Sequence, residues 1–342
     1  MNPYRFARIN TNRPPVRRRP TGHDKFSGVS GVLYCELETA TPIFIAEQMN
    51  AGAAKTHKTM SIIGNRQPFI PGSSLKGVIR SLAEAAGNGC MVLFSGEYRD
   101  GNAFHRFGDI VPRDFRACQN QQQLCITCRM FGAIADRQGY LGNVCISDAS
   151  AREFRRLGPI VLTPLQNPKP RHSAFYRPNN RFPGRKFYYH GNTVTTSREA
   201  TPYNSTVHPV EGTFDFRVSF TNLADDELSL LLYSLVLEPQ MRHKIGMGKP
   251  LGLGSIQIRI TKAELIKPQD RYSGKGAGVI ELSGAELETF IAQKTQPYVS
   301  DTQSVNLIDL RQALAWPPQH ELRYPTREWF SNNSQAPLSE TP

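Results

Sequence analysis

Three of the chain's six cysteines, Cys118, Cys125 and Cys128, follow a C-x6-C-x2-C spacing. A Cys-x-x-Cys pair lets one turn offer two thiolates to a tetrahedral ion, which is how structural zinc is commonly held. Cys118 is near enough in sequence to be a third ligand. The fourth is expected at His105, with Cys90 as the alternative. Four protein ligands leave no open position, so such a metal would brace the fold rather than do chemistry. This cysteine usage fits a reducing cytoplasm better than a disulfide framework. Cys35 and Cys145 fall on strand-like patterns and are expected in the core.

A second constellation is Ile245–Ser255, where Gly246, Gly248, Gly252 and Gly254 form a G-x-G-x-x-x-G-x-G array beside Arg242, His243, Lys244 and Lys249. Glycine lets a backbone take positive φ and approach a ligand closely. The array follows a helical pattern and precedes a strand pattern, the reverse of a dinucleotide-binding loop. Lys249 is followed by Pro250 rather than by the Ser or Thr of a P-loop. Two readings remain: a sharp turn packed by its glycines, or a loop whose N–H groups and cations hold a phosphodiester backbone. Glycines crowded among lysines favour the second. A related signal is Ile70-Pro71-Gly72-Ser73-Ser74, which leads into a helix. One serine caps that helix, and a helix start of this kind can also seat phosphate. Lys76 and Arg80 lie four apart on another face. Between Asn167 and Pro209, cations including Arg185 and Lys186 interleave with aromatics including Phe187, Tyr188 and Tyr189. That composition suits backbone neutralisation and base stacking, or a long surface loop anchored by its rings.

The elements that must position these groups are legible from periodicity. Gly31–Thr39 and Thr213–Phe220 alternate as strands, the latter through Phe214, Phe216, Val218 and Phe220. Asn143–Ala149 and Gly158–Thr163 read as further strands. Ser73–Gly87 is a helix with one apolar stripe through Leu75, Ile79, Leu82 and Ala86, capped by Ser73 or Ser74 and ended by Gly87. Asn222–Leu237 is a second, more deeply buried helix, capped by Thr221 or Asn222, with Asp225, Asp226 and Glu227 where the helix dipole favours acids. Gly284–Lys294 and Asn306–Ala315 are shorter helices. Two strand–helix units of this kind give an α+β chain. Met1–Lys25 is basic, Pro-rich and poor in large apolar residues, an extended arm. With 342 residues and a net charge of +12, the chain can bury a sizeable core and calls for a polyanionic partner. It has no apolar run of transmembrane length and no signal-like apolar core near its start.

Four stretches also carry a family likeness: Ile70–Gly77, Cys125–Gly132, Gly184–Tyr188, and Gly246–Gly254 preceded by Phe214–Leu237. Together they resemble the RAMP superfamily, specifically Cas7-like backbone proteins of type III CRISPR complexes, which act in antiviral defense. The tail Leu307–Pro325 is similar to the longer type III-D and III-E relatives. The resemblance implies a ferredoxin-like (RRM-type) palm with a four-stranded antiparallel sheet over residues 26–265, preceded by the arm 1–25 and followed by an extension 266–342. It implies a zinc-binding insertion at about 88–130 and a thumb hairpin at about 165–210. The implied role is a cytoplasmic, membrane-free guide-binding subunit. Its partners would be crRNA, target RNA and other Cas7-like, Cas5-like and Cas10-like subunits. The implied cofactor is structural zinc, with magnesium left open. The RNA contacts it implies are Lys55, Lys58, Ser73, Ser74, Lys76, Arg80, Arg129, Arg185, Lys186, Tyr188, Lys244, Gly246, Gly248, Lys249, Gly252 and Gly254. Many such relatives cut RNA with an Asp after the first strand and a divalent metal. Here that loop, Glu47–Gln67, has no Asp, and metal-dependent cleavage is not expected. His57, between Lys55 and Lys58, is the alternative: a general base on a ribose 2′-hydroxyl in an endoribonuclease that processes its own guide. The plainer reading is that these three contact phosphates without chemistry.

Overall fold

The computed structural model describes residues 2–46, 57–58, 62–63, 67–92, 97–100, 103–165, 173–176, 178–197, 205–274, 278–319, 321–333, 335–337 and 340. The elements that build the site are, in chain order, β1 (Tyr4–Ala7), β2 (Val29–Thr39), β3 (Gln67–Ile70), α1 (Gly72–Ala86), α2 (Ile126–Phe131), β4 (Val144–Ile146), β5 (Ala149–Arg156) and β6 (Arg185–Tyr188). They continue with β7 (Val210–Leu223), α3 (Asp225–Val236), β8 (His243–Lys244), β9 (Ser255–Ile266), β10 (Val279–Ser283), α4 (Gly284–Val299) and α5 (Val305–Ala313).

The main sheet runs β8-β9-β2-β7-β5-β3 with antiparallel pairing throughout; β4 also pairs with β7 and β10 with β9. The long strands and two helices follow one another as β2, α1, β5, β7, α3, β9. Alternation decides the two faces of the sheet. Leu33, Cys35 and Leu37 of β2 and Phe214, Phe216, Val218 and Phe220 of β7 point into one core with α1 and α3. The opposite face is charged and self-paired: Arg152 bridges Glu36 and Asp215, and Arg259 bridges Glu36 and Glu38. Helix α3 is apolar on most sides because α1, α4 and the sheet all pack on it, with Tyr233 stacked on Tyr298 at 4.9 Å.

Several boundaries differ from expectation, each for a local reason. Helix α1 starts at Gly72 behind Pro71, so Ser73 and Ser74 lie in its first turn and neither caps it. The Gly72 N–H donates instead to the Asp148 carboxylate at 2.7 Å. That acid sits in the break that divides the expected strand 143–149 into β4 and β5. Helix α3 starts after Ala224, whose N–H donates to the Glu227 carboxylate; Asn222 is not the cap. Asn222 has φ of 54° and its amide donates to the carbonyls of Gly22 and Lys25. Cys145 is exposed, not in the core, because β4 turns it to the charged face, while Cys35 is buried as expected.

The basic N-terminal stretch is tied to the body. Strand β1 pairs with β6, and Arg5 and Arg8 both donate to Asp309 of α5, a fully buried carboxylate. Those donors hold Asp309 below the usual carboxylate range against the upward push of burial. Arg17 and Arg18 pair along the backbone with Cys125 and Leu124, and the Arg17 side chain donates to the carbonyls of Asp114 and Arg116. These arginines therefore serve intramolecular contacts first.

Candidate nucleic-acid interface

A cleft of about 410 Å³ opens where α1, β6 and the glycine loop meet. Helix α1 contributes Ser74, Gly77 and Ser81; β6 contributes Lys186 and Tyr188; the loop contributes Lys244, Gly246 and Lys249. The helix start and the glycine loop, 170 residues apart in sequence, thus converge on one surface (Ser74 to Lys244).

The loop reaches this place through its own packing. Gly246 has φ of 78° and Gly254 of 86°. A Cβ at Gly246 would run into the Phe44 carbonyl, and one at Gly254 into that of Ile245. The N–H groups of Ile245, Met247, Leu251, Leu253 and Gly254 donate to protein carbonyls. These amides are therefore spent inside the fold, and the charged groups that the loop brings to the cleft are Lys244 and Lys249. Lys244 donates to the Leu253 carbonyl at 2.8 Å and the Ser255 hydroxyl at 3.1 Å. Lys249 donates to the Gly246 carbonyl at 2.7 Å. The Lys186 ammonium lies 3.7 Å from the Tyr4 ring centroid and 5.2 Å from that of Tyr188, whose ring also meets Lys249 at 5.7 Å. Register fixes this, since β1 sets Phe6 opposite Lys186 and Tyr4 opposite Tyr188.

Other predicted contacts fall elsewhere. Arg129 is an internal residue, not a surface contact: it pairs with Glu227 and donates to the Leu124 carbonyl at 2.9 Å. Arg185 is likewise internal, pairing with Glu84 at 2.9 Å and donating to the carbonyls of Gly89 and Cys90 at 2.7 and 2.9 Å. Arg80 is held by Glu84 on its own helix. Ser73 is exposed and Lys76 half-buried on α1, neither of them in the cleft lining, and Gly248, Gly252 and Gly254 shape the loop behind it. Lys55 lies outside the described residues. His57 and Lys58 form a short strand parallel to Thr206–Val207, and their side chains lie outside them. Of the aromatic-rich segment, Phe175 is buried against Tyr4 and Phe330. Sequence reasoning passed over Gly77, Ser81 and Tyr4. The small residues at 74, 77 and 81 share one helical face, which was the available signal.

The sulfurs of Cys90, Cys118, Cys125 and Cys128 are all buried and lie within 4.8 Å of one another. A tetrahedral ion with Zn–S bonds of about 2.3 Å spaces its sulfurs about 3.8 Å apart. The Cys90–Cys128 and Cys118–Cys90 separations are 3.5 and 3.8 Å, so the four residues fit such an ion. The fourth place expected for His105 therefore goes to Cys90. His105 lies in the strand Ala103–Arg106, with its side chain outside the described residues.

An antiparallel sheet backed by two helices, a basic cleft and a four-cysteine cluster define an α+β protein. The family model described as RAMPs, the RAMP superfamily, matches residues 36–257, from β2 to the start of β9. The chain belongs to the RAMP superfamily. No curated protein matches it.

Proposed function

We propose that the protein is a guide-binding backbone subunit of a type III CRISPR ribonucleoprotein, Cas7-like and similar to type III-D or III-E relatives. The observation that carries this is the cleft: three lysines and two serines, placed by α1, β6 and the glycine loop within the family-matched region. The order β-α-β-β-α-β with β9-β2-β7-β5 adjacent supports a ferredoxin-like palm. The four thiols would hold structural zinc in the insertion. The neighbours would be further Cas7-like, Cas5-like and Cas10-like subunits in the cytoplasm, with crRNA and target RNA between them.

The cleft reads backbone more than base. The Tyr188 ring is already met by the ammonium groups of Lys186 and Lys249, and a ring engaged with cations is a poor platform for a base. Binding is therefore sequence-tolerant. Lys249→Gln should weaken binding of single-stranded RNA several-fold and reduce the salt slope by about one released counterion or less. Fluorescence anisotropy over a salt series measures both, and an unchanged slope would remove Lys249 from the interface. Ser81 gives a second test. Its hydroxyl donates to the Gly77 carbonyl at 2.8 Å, so it presents acceptor capacity to the cleft. A ribose 2′-hydroxyl can donate to that oxygen, and a phosphate oxygen cannot. Ser81→Ala should cost RNA affinity a few-fold and leave the affinity for the matching DNA strand in place; equal losses would exclude the hydroxyl contact.

A further inference from the structure

Lys186, Lys244 and Lys249 line one cleft, and among the described residues its lining holds no carboxylate. Buried lysines usually sit beside an acid. Here each is held by neutral groups: Lys186 by the rings of Tyr4, Tyr176 and Tyr188, Lys244 by two carbonyls and the Ser255 hydroxyl, Lys249 by the Gly246 carbonyl and the Tyr188 ring.

The charged groups on the packed elements are engaged elsewhere. Glu84 of α1 is taken by Arg80 and Arg185. Asp309 of α5 is taken by Arg5 and Arg8, and Glu238 after α3 by Arg311 and the Tyr233 hydroxyl. Arg242 donates to the carbonyls of Pro239 and Met241. His190 and His243, behind the loop, are kept neutral by burial, pushed down to about 3 and about 4. Lys76 on α1 is itself half-buried, and Ser74 and Ser81 are neutral. Three like charges thus share a small space without a counterion among the described residues.

We propose that RNA binding in this cleft takes up protons: the free protein holds the cleft short of its full charge, and the phosphate backbone restores it. This rests on the RNA reading above and adds its regulation by pH. Burial supports it, moving Lys186 down to about 8 and Lys244 to about 7, the latter helped by the charge of Lys249, and lowering Lys249 as well. A bound phosphate favours the charged form of each. The sign follows. Below about pH 7 the lysines are charged with or without RNA, and affinity is flat. Above it the free protein sheds protons that the complex keeps, so affinity falls until the complex itself titrates. Each proton taken up steepens the fall by about ten-fold per pH unit.

The test is calorimetric titration of the full chain with an unstructured oligouridylate, in Tris and in HEPES at matched pH and salt. Because the two buffers differ in ionisation heat, uptake appears as a difference in observed heat. At about pH 8 we expect uptake on the order of one proton per chain, little at about pH 6, and an affinity that drops roughly ten-fold between pH 8 and 9. Lys249→Gln should reduce the uptake and flatten the drop. Tight binding with equal heats in both buffers would overturn the inference and leave the RNA reading standing. Absence of binding at every pH would remove the RNA reading and the inference together.

Discussion

Serine in place of Cys90 should strip the bound metal and unfold the cysteine-held insertion, whereas His105→Ala should keep one metal per chain. The expectation comes from the four sulfurs that share one buried point. Losing one thiolate leaves a three-ligand site, and structural zinc supplies folding free energy of about 10 kcal/mol or more in small domains built on it. The insertion has little else to replace that. Its own core consists of the four cysteines with Leu124 and Ala135, joined by a few partly buried neighbours. Elemental analysis of purified protein gives the metal content, and limited proteolysis reports whether the insertion opens. A metal-free wild type, or a Cys90→Ser protein that keeps its metal while His105→Ala loses it, would refute the four-thiol assignment.

Arg185→Ala should lower stability by about 3–5 kcal/mol, the range for breaking a buried ion pair by removing one partner. Arg185 and Glu84 are both largely buried, with side chains 9% and 12% exposed. The same guanidinium satisfies the carbonyls of Gly89 and Cys90, so its removal also orphans two acceptors next to the four-cysteine cluster. Lysine should not restore the loss, because an ammonium cannot reproduce the planar fork. Urea unfolding measures the change. A variant of unchanged stability that no longer binds RNA would reinstate Arg185 as a direct contact.

The contrast between Arg185 and Lys186 shows how far the sequence could be read. Strand alternation puts Arg185 and Phe187 on one side and Lys186 and Tyr188 on the other, and the burial follows that rhythm. Composition alone counted all the cations as surface. Periodic features came through well: the row Phe214 to Phe220, the stripe of α1, and the acids in the first turn of α3. Their causes are local, repeated every two or every 3.6 residues. What did not come through depends on partners distant in sequence. Cys90 joins Cys118 across 28 residues, and nothing in the spacing closes that gap. The carbonyls of Phe44 and Ile245 that demand bare glycines are invisible until the chain folds. Hence the glycines looked ligand-facing when their first duty is packing. The same holds for the opening arginines, whose acid, Asp309, stands about 300 residues away.

The cleft draws on Ser74 near one end of the chain and Leu314 near the other, and the ring over Lys186 comes from Tyr4. The groove is therefore complete only once the stretch from Tyr4 through Leu314 has left the ribosome. On the proposed reading, RNA would enter this groove only after Tyr4, Lys186 and Leu314 have come together.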